Sequence, residues 1–162
     1  MERVGRRMNR DGLNPEAASP AVSALIEAGF ELVGCWRPAA GSIELDGAAR
    51  REAGVYAYVV EGVVKYVGSA QRGLHGRLRR YAITKTLRTS ARVRGEIQEC
   101  LTCGKTVEVY ALVPPPLVWK ELPVDLVVGL EEGLIRQLQP AWNRRSNPGN
   151  DARIRRPESS SL

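Results

Sequence analysis

Gly54-Val55-Tyr56, followed after nine further residues by Tyr66-Val67-Gly68, is the stretch of sequence that decides the fold. Its two halves, residues 55–60 and 63–67, are rich in β-branched and aromatic side chains, which are typical of β-strands. Glu61-Gly62 lies between the halves and indicates a tight turn. The segment therefore predicts a β-hairpin.

Two registers of this hairpin are open, and they place the tyrosines differently. A two-residue loop at Glu61-Gly62 would pair Tyr56 with Val67 and put Tyr56 and Tyr66 on opposite faces. A three-residue loop that begins at Val60 would pair the two tyrosines directly, and a glycine at its third position suits the left-handed conformation required there. We expect the three-residue loop, because only it brings both phenols to one face.

Further along the chain, hydrophobic periodicity predicts three helices and another strand. A helix around Leu74–Tyr81 would place Arg77 and Tyr81 one turn apart on the same face. The other elements are a helix capped by Thr89 or Ser90 that reaches about Leu101, a strand over Thr106–Val113, and a last helix that Pro123 opens and that runs to about Gln139.

These elements predict an α+β domain over residues 53–146, with a small, mostly antiparallel three-stranded sheet flanked by helices. Residues 20–52 are predicted to form an N-terminal extension that adds a helix and strands to this domain. Residues 1–19 are polar and arginine-bearing and are predicted to be a flexible basic arm, and residues 147–162 to be a disordered basic tail.

The distribution of charge favours a nucleic-acid partner. The formal net charge is +6, and the basic residues are 20 Arg and only 4 Lys. Arginine binds phosphate with two parallel hydrogen bonds, although a GC-rich genome would enrich arginine as well. No acidic residue lies between Glu61 and Glu96, whereas nine basic residues do. The candidate phosphate contacts are Arg72, Arg79, Arg80, Lys85, Arg88 and Arg92.

Glu131 is the strongest single candidate for chemistry. On the last predicted helix it lies at the centre of an apolar stripe, where an unpaired carboxylate is costly to bury. One reading is a partly buried carboxylate that pairs with an arginine. The other is a ligand to a hard divalent cation that keeps several of its waters. Since only the outward-facing Glu132 is acidic nearby, a single-ion mechanism fits better than a two-metal site.

The order of these elements resembles the GIY-YIG family of nucleases, which cut phosphodiester bonds with a divalent metal. The hairpin is followed by Arg77, by Glu131 in the pattern Glu-x-x-Leu-Ile, and by Pro140-Ala141-Trp142-Asn143. The resemblance covers about ninety residues. One position departs from the family: Tyr81 stands where a histidine is usual, as in some restriction-type members.

The resemblance implies a role for each of these residues. Glu131 would bind Mg²⁺ or Mn²⁺, Tyr56 would activate the attacking water and Tyr66 would position water or phosphate. Arg77 would stabilise charge on the scissile phosphate, and Tyr81 would take the catalytic position one turn later. Asn143 would tie the end of the last helix to the site. Without the resemblance, either tyrosine could be an ordinary strand aromatic and Arg77 a solvated arginine.

The expected function is a metal-dependent endonuclease acting on double-stranded DNA. Alternatives are a nucleic-acid-binding module of the same fold without activity, and a nuclease acting on RNA or branched DNA. Restriction-type cutting of palindromes would favour a homodimer. No apolar run approaches the about 20 residues of a membrane span, and no secretory signal is evident, so a cytoplasmic location without a membrane partner is the expectation.

Overall fold

The computed structural model describes residues 19–83 and 87–143. Lys85, the predicted basic arm up to residue 18 and the predicted basic tail lie outside the described residues. The elements in chain order are α1 (Pro20–Glu27), β1 (Glu31–Ala39), β2 (Ser42–Gly47), β3 (Gly54–Val60), β4 (Val63–Ala70), α2 (Leu74–Ile83), α3 (Arg88–Thr102), β5 (Val107–Leu112), β6 (Leu117–Trp119), β7 (Leu122–Val124) and α4 (Leu126–Leu138).

The main sheet has five antiparallel strands in the order β2-β1-β5-β3-β4, rather than the three that the sequence predicted. The α+β class is confirmed. The two additional strands, β1 and β2, come from the predicted N-terminal extension and join the sheet because β1 pairs with β5. A second sheet contains only β6 and β7. No helix in the described part of the chain is long and apolar enough to cross a membrane.

Helices cover both faces of the main sheet, and each face has its own core. On one face α2 and α3 pack over Tyr56, Tyr58 and Val60 of β3. On the other face α1 and α4 pack over the alternate residues of β3, from Val55 to Val59. β3 lies between β5 and β4 and is therefore buried along its whole length.

The β3–β4 hairpin has a two-residue turn, so the three-residue loop that we expected is wrong. Val60 pairs with Val63 across Glu61-Gly62, and both turn residues have positive φ angles, 50° and 74°. A β-bulge then leaves Lys65 unpaired between Val64 and Tyr66. The extra residue shifts the register by one, so Tyr66 pairs with Tyr58.

The β-bulge places Tyr56 and Tyr66 on one face of the hairpin, which the predicted chemistry requires. Tyr56 pairs with Gly68, and Tyr56 and Tyr66 both point into the core under α2 and α3. The two phenols therefore share one face, as predicted, although a bulge in β4 puts them there instead of a longer loop.

The starts of two helices differ from the sequence prediction. α4 begins at Leu126, since the Asp125 carboxylate caps it by accepting a hydrogen bond from the backbone N–H of Val128 at 3.0 Å. Pro123 lies in β7 and does not open the helix. α3 begins at Arg88, so Thr89 and Ser90 lie within its first turn instead of capping it.

Candidate active site

β3 and α2 bring three of the predicted site residues into contact. The Nε–H of Arg77 donates to the Tyr56 hydroxyl at 3.2 Å, and the hydroxyls of Tyr56 and Tyr81 lie 2.9 Å apart. The guanidinium of Arg77 also lies over the ring of Tyr81, 5.2 Å from its centroid, a cation–π contact. α2 fixes this arrangement because it buries Leu78 and Tyr81 against the sheet. Tyr81 thus orients both Tyr56 and Arg77.

Tyr66 joins this group from β4 through aromatic packing. Its ring stacks on Tyr58 with centroids 5.5 Å apart and lies 6.2 Å from the ring of Tyr56. Trp36 of β1 contacts Tyr58 edge-on from the other side. Together with Tyr81 these rings form a rigid aromatic cluster, which locks the rotamers of the candidate catalytic phenols.

Burial dominates the acid–base chemistry of Tyr56. Its side chain is fully buried, and burial raises its pKa well above the ordinary value, with Tyr66 adding to the rise. Arg77 and Tyr81 lower the pKa, but they offset only part of this effect. At neutral pH Tyr56 is a neutral phenol.

Gly68 and Ser69 connect this cluster to Glu131. A Cβ atom at Gly68 would lie 2.6 Å from both Cζ and Oη of Tyr56, so only glycine leaves room for the phenol. The hydroxyl of the next residue, Ser69, donates to Oε2 of Glu131 at 2.5 Å. Successive residues of a strand face opposite sides of the sheet, so Gly68 lies against the aromatic core and Ser69 faces α4. The phenol and the carboxylate therefore flank one short segment of β4 from its two faces.

Glu131 lies half-buried on α4, whereas Glu132 is exposed. Within residues 19–83 and 87–143 no lysine or arginine forms an ion pair with Glu131; the pairs found there are Arg37–Asp46, Arg50–Glu31 and Lys105–Glu61. The arginine-paired reading of Glu131 thus finds no support in the described residues. A half-buried carboxylate held at one oxygen by a serine suits a hard divalent cation that keeps most of its waters.

Asn143 holds the chain after α4 against the same edge strand. Its side-chain amide bonds both backbone groups of Val67: Oδ1 accepts from the N–H at 2.9 Å and Nδ2 donates to the carbonyl at 2.8 Å. The backbone N–H of Trp142 donates to the carbonyl of Lys65. The Asn143 side chain therefore bonds the edge of β4 as a neighbouring strand would, and it fixes β4 just before Gly68.

The predicted phosphate contacts divide into exposed and structural arginines. Arg92 is half-buried on α3, and its guanidinium donates to the carbonyl of Trp142 at 2.6 Å. This contact ties α3 to the segment that carries Asn143 and leaves Arg92 poorly placed to reach a phosphate. The other described candidates are exposed: Arg72, Arg79, Arg80 and Arg88.

Sequence reasoning missed Ser69 and Tyr58. Ser69 bonds a residue 62 positions away, and no local pattern indicates such a pair. Its place directly after Gly68 was the one available signal. Tyr58 alternates with Tyr56 on a predicted strand, so its face could have been inferred from period-two spacing, but its stacking on Tyr66 depends on the bulge.

Comparison with known proteins gives the fold. No family model matches the sequence, and no curated protein matches it. Among solved structures, EndoII of bacteriophage T4, solved as a mutant, matches with a TM-score of 0.55 at 20% sequence identity, over 75% of this chain and 96% of that chain. This chain has the fold of EndoII.

Two further structures are similar in part. The GIY-YIG N-terminal endonuclease domain of UvrC from Thermotoga maritima, bound to magnesium, is 29% identical over 59% of this chain and 86% of that chain, with a TM-score of 0.40. The restriction endonuclease Hpy188I in complex with product DNA is 16% identical over 96% of this chain and 99% of that chain, with a TM-score of 0.45.

Proposed function

We propose that this protein is a GIY-YIG-type endonuclease that hydrolyses phosphodiester bonds in double-stranded DNA with the help of one divalent cation. The observation that carries the proposal is Glu131: half-buried, bonded by Ser69, unpaired with any described cation, and flanking the same segment of β4 as the Tyr56–Arg77 pair. The fold shared with EndoII agrees with it.

Glu131 would hold the cation, Mg²⁺ or Mn²⁺. One carboxylate with several waters is a common arrangement for Mg²⁺ in proteins. Among the described residues no group of three or more His, Cys, Asp or Glu side chains could hold a metal, which favours a single ion over a pair. A bound cation would lower the pKa of a coordinated water and neutralise charge on the phosphate.

Tyr56 and Arg77 would act on the water and the phosphate. Tyr56 is a neutral phenol at neutral pH, so we infer that it orients the attacking water with its hydroxyl instead of acting as a phenolate. Arg77 is about half-buried and is oriented by Tyr56 and Tyr81 before substrate binds. A preorganised guanidinium stabilises the negative charge that builds on a phosphate in the transition state.

The exposed arginines would supply the affinity for DNA. Arg79 and Arg80 lie on the solvent side of α2, Arg72 follows β4, and Arg88 begins α3. Contacts of this kind go to backbone phosphates, so they bind without selecting a sequence and weaken as salt rises.

The test compares two neighbouring glutamates of α4. Glu131→Gln removes the charge that would hold the cation but keeps the shape, and we expect a loss of about 10³-fold in plasmid cleavage with Mg²⁺. Glu132→Gln makes the same change at an exposed position and should leave cleavage unchanged. Both variants should bind DNA equally without metal, because Glu131 contributes to chemistry and not to phosphate contacts.

Three results would count against the proposal. Cleavage that persists in Glu131→Gln would point to a contaminating nuclease, and absence of cleavage in the wild type despite DNA binding would favour the inactive module. Faster cleavage of labelled RNA or forked DNA than of duplex DNA would reassign the substrate.

A further inference from the structure

The β6–β7 hairpin is the most exposed apolar structure among the described residues. All six of its strand residues are exposed, and Val118, Trp119 and Leu122 are more than 60% exposed. Val128, in the first turn of α4, extends the same stretch of chain and is exposed as well. Contiguous apolar surface of this kind is typical of an interaction site.

The hairpin is also poorly stabilised by its own contacts. An isolated two-stranded hairpin is only marginally stable in water, and every strand residue of this one is exposed. Its turn residues, Lys120 and Glu121, both have positive φ angles, 46° and 69°, without being glycine. A partner that buried the apolar side chains of this hairpin would stabilise it.

Charge argues against DNA as that partner. The hairpin and the cap of α4 carry one cation, Lys120, and two anions, Glu121 and Asp125. Phosphate binding requires a surplus of cations, and in this chain that surplus lies between Lys65 and Arg94. The side chains of the hairpin fit another apolar surface better than a phosphate backbone.

The rest of this chain does not supply such a surface by composition. Outside the described residues lie 1–18, 84–86 and 144–162, and the two longer stretches are rich in arginine and poor in large apolar residues. A second copy of this chain, by contrast, brings an identical apolar hairpin. Contact of like with like is the rule in two-fold symmetric dimers.

We propose that the β6–β7 hairpin is the dimer interface of this protein, covered in solution by the same hairpin of a second copy. By the register of the two strands, Leu117, Trp119, Leu122 and Val124 share one face of the hairpin, and their exposed side chains offer on the order of 400 Å² of apolar surface. A standard interface buries about 800 Å² per partner, of which a little over half is apolar. The patch is therefore large enough for a specific dimer, with Trp119 as its anchor.

The position of the hairpin gives the dimer a consequence that rests on the proposed function. β7 runs directly into α4 through Asp125, and Glu131 follows within two turns of that helix. The Gln71 side chain, just after β4, donates to Asp125 at 3.4 Å and links the base of the hairpin to the candidate site. A dimer built on the hairpins would thus fix the spacing of two active sites and favour cleavage of both strands.

The test is the molar mass of the full chain in solution, measured by sedimentation velocity over a range of concentrations. We expect the wild type to be a dimer and Leu122→Lys to be a monomer, because Leu122 pairs with Trp119 on the interface face and the substitution places like charges at the two-fold interface. Val63→Lys introduces the same charge at a 49% exposed valine next to the turn of the β3–β4 hairpin, and it should remain a dimer. Circular dichroism checks that both variants are folded.

Each alternative has its own signature. A wild type that stays monomeric, or a Leu122→Lys variant that stays dimeric, overturns the proposal. If the wild type is a monomer and Leu122→Lys binds DNA more tightly than Val63→Lys, the hairpin faces DNA instead. Glu131→Gln should remain a dimer without activity, so the proposed function can fail while the dimer stands. If the dimer and the proposed function are both correct, Leu122→Lys nicks plasmid with little linear product.

Discussion

The two hairpins of this molecule have similar turns and opposite surroundings. β3–β4 turns at Glu61-Gly62 and β6–β7 turns at Lys120-Glu121, and all four turn residues have positive φ angles. Yet every residue of β3 is buried, whereas every residue of β6 and β7 is exposed. Turn geometry is thus a local property, and what distinguishes the hairpins is the layers that cover them.

This difference decides what each hairpin is suited to do. Covered on both faces, the β3–β4 hairpin holds Tyr56 in one rotamer against Arg77 and Tyr81, which is what preorganised chemistry needs. The bare β6–β7 hairpin offers apolar side chains with nothing to fix them, which suits recognition. We expect substitutions in the first to change rate and stability, and substitutions in the second to change association.

The largest contrast is expected between two tyrosines of β3. Tyr56→Phe removes only the hydroxyl that bonds Arg77 and Tyr81, and we expect DNA cleavage to fall by about 10²-fold or more. Tyr58→Phe is the matched control, because Tyr58 is equally buried on the same face and its hydroxyl has no hydrogen-bond partner among the described residues. Its activity should be unchanged and its stability equal or higher. Equal losses in both variants would attribute the effect to packing.

The pH profile of the same variant separates two roles for Tyr56. Because burial raises its pKa, the phenolate is a minor species at neutral pH and would increase about tenfold per pH unit. We compare the slopes of the logarithm of the cleavage rate against pH. If the phenolate acted as the base, this slope would be one unit larger in the wild type than in Tyr56→Phe. A neutral phenol that orients water gives parallel slopes, and this is the result that we expect between pH values of about 7 and 9.

Stability should show the next largest contrast between the hairpins. Val59→Ala leaves a cavity under α1 and α4, and we expect it to lower the free energy of unfolding by about 2 kcal/mol. Val118→Ala removes the same two methyl groups from an exposed strand and should change it by less than about 0.5 kcal/mol in dilute protein. Denaturant unfolding measures both. Equal costs at the two positions would show that Val118 is packed as firmly as Val59.

The sequence could predict the elements whose signals are local. The hairpin, the shared face of Arg77 and Tyr81, and α4 with Glu131 all follow from turn residues and from periods of two or 3.6 residues. The composition of β1 and β2 also marked them as strands. Their place in the sheet, with β1 next to β5 and β2 at the edge, depends on pairing between distant segments, which those periods do not encode.

What the sequence could not predict depends on distant partners. The register of β4 is set by a bulge at Lys65, and nothing in the local composition marks the residue that is left unpaired. In the sequence Arg92 cannot be told from its exposed neighbours, but its guanidinium donates a hydrogen bond to the carbonyl of Trp142, 50 residues away. Burial of Tyr56 under two helices and against three other rings likewise depends on distant segments, and it raises the pKa of this phenol.

Ser69 provides the smallest expected effect and the finest test of the covered hairpin. Its hydroxyl holds one oxygen of Glu131, so Ser69→Ala should loosen the carboxylate without removing its charge. We expect about a tenfold lower cleavage rate at limiting Mg²⁺, a higher Mg²⁺ concentration for half-maximal rate, and partial rescue by Ser69→Thr, which restores a hydroxyl. DNA binding without metal should not change. If Ser69→Ala lowers the rate equally at all Mg²⁺ concentrations, the serine supports the strand rather than the carboxylate, and the link between β4 and Glu131 is structural.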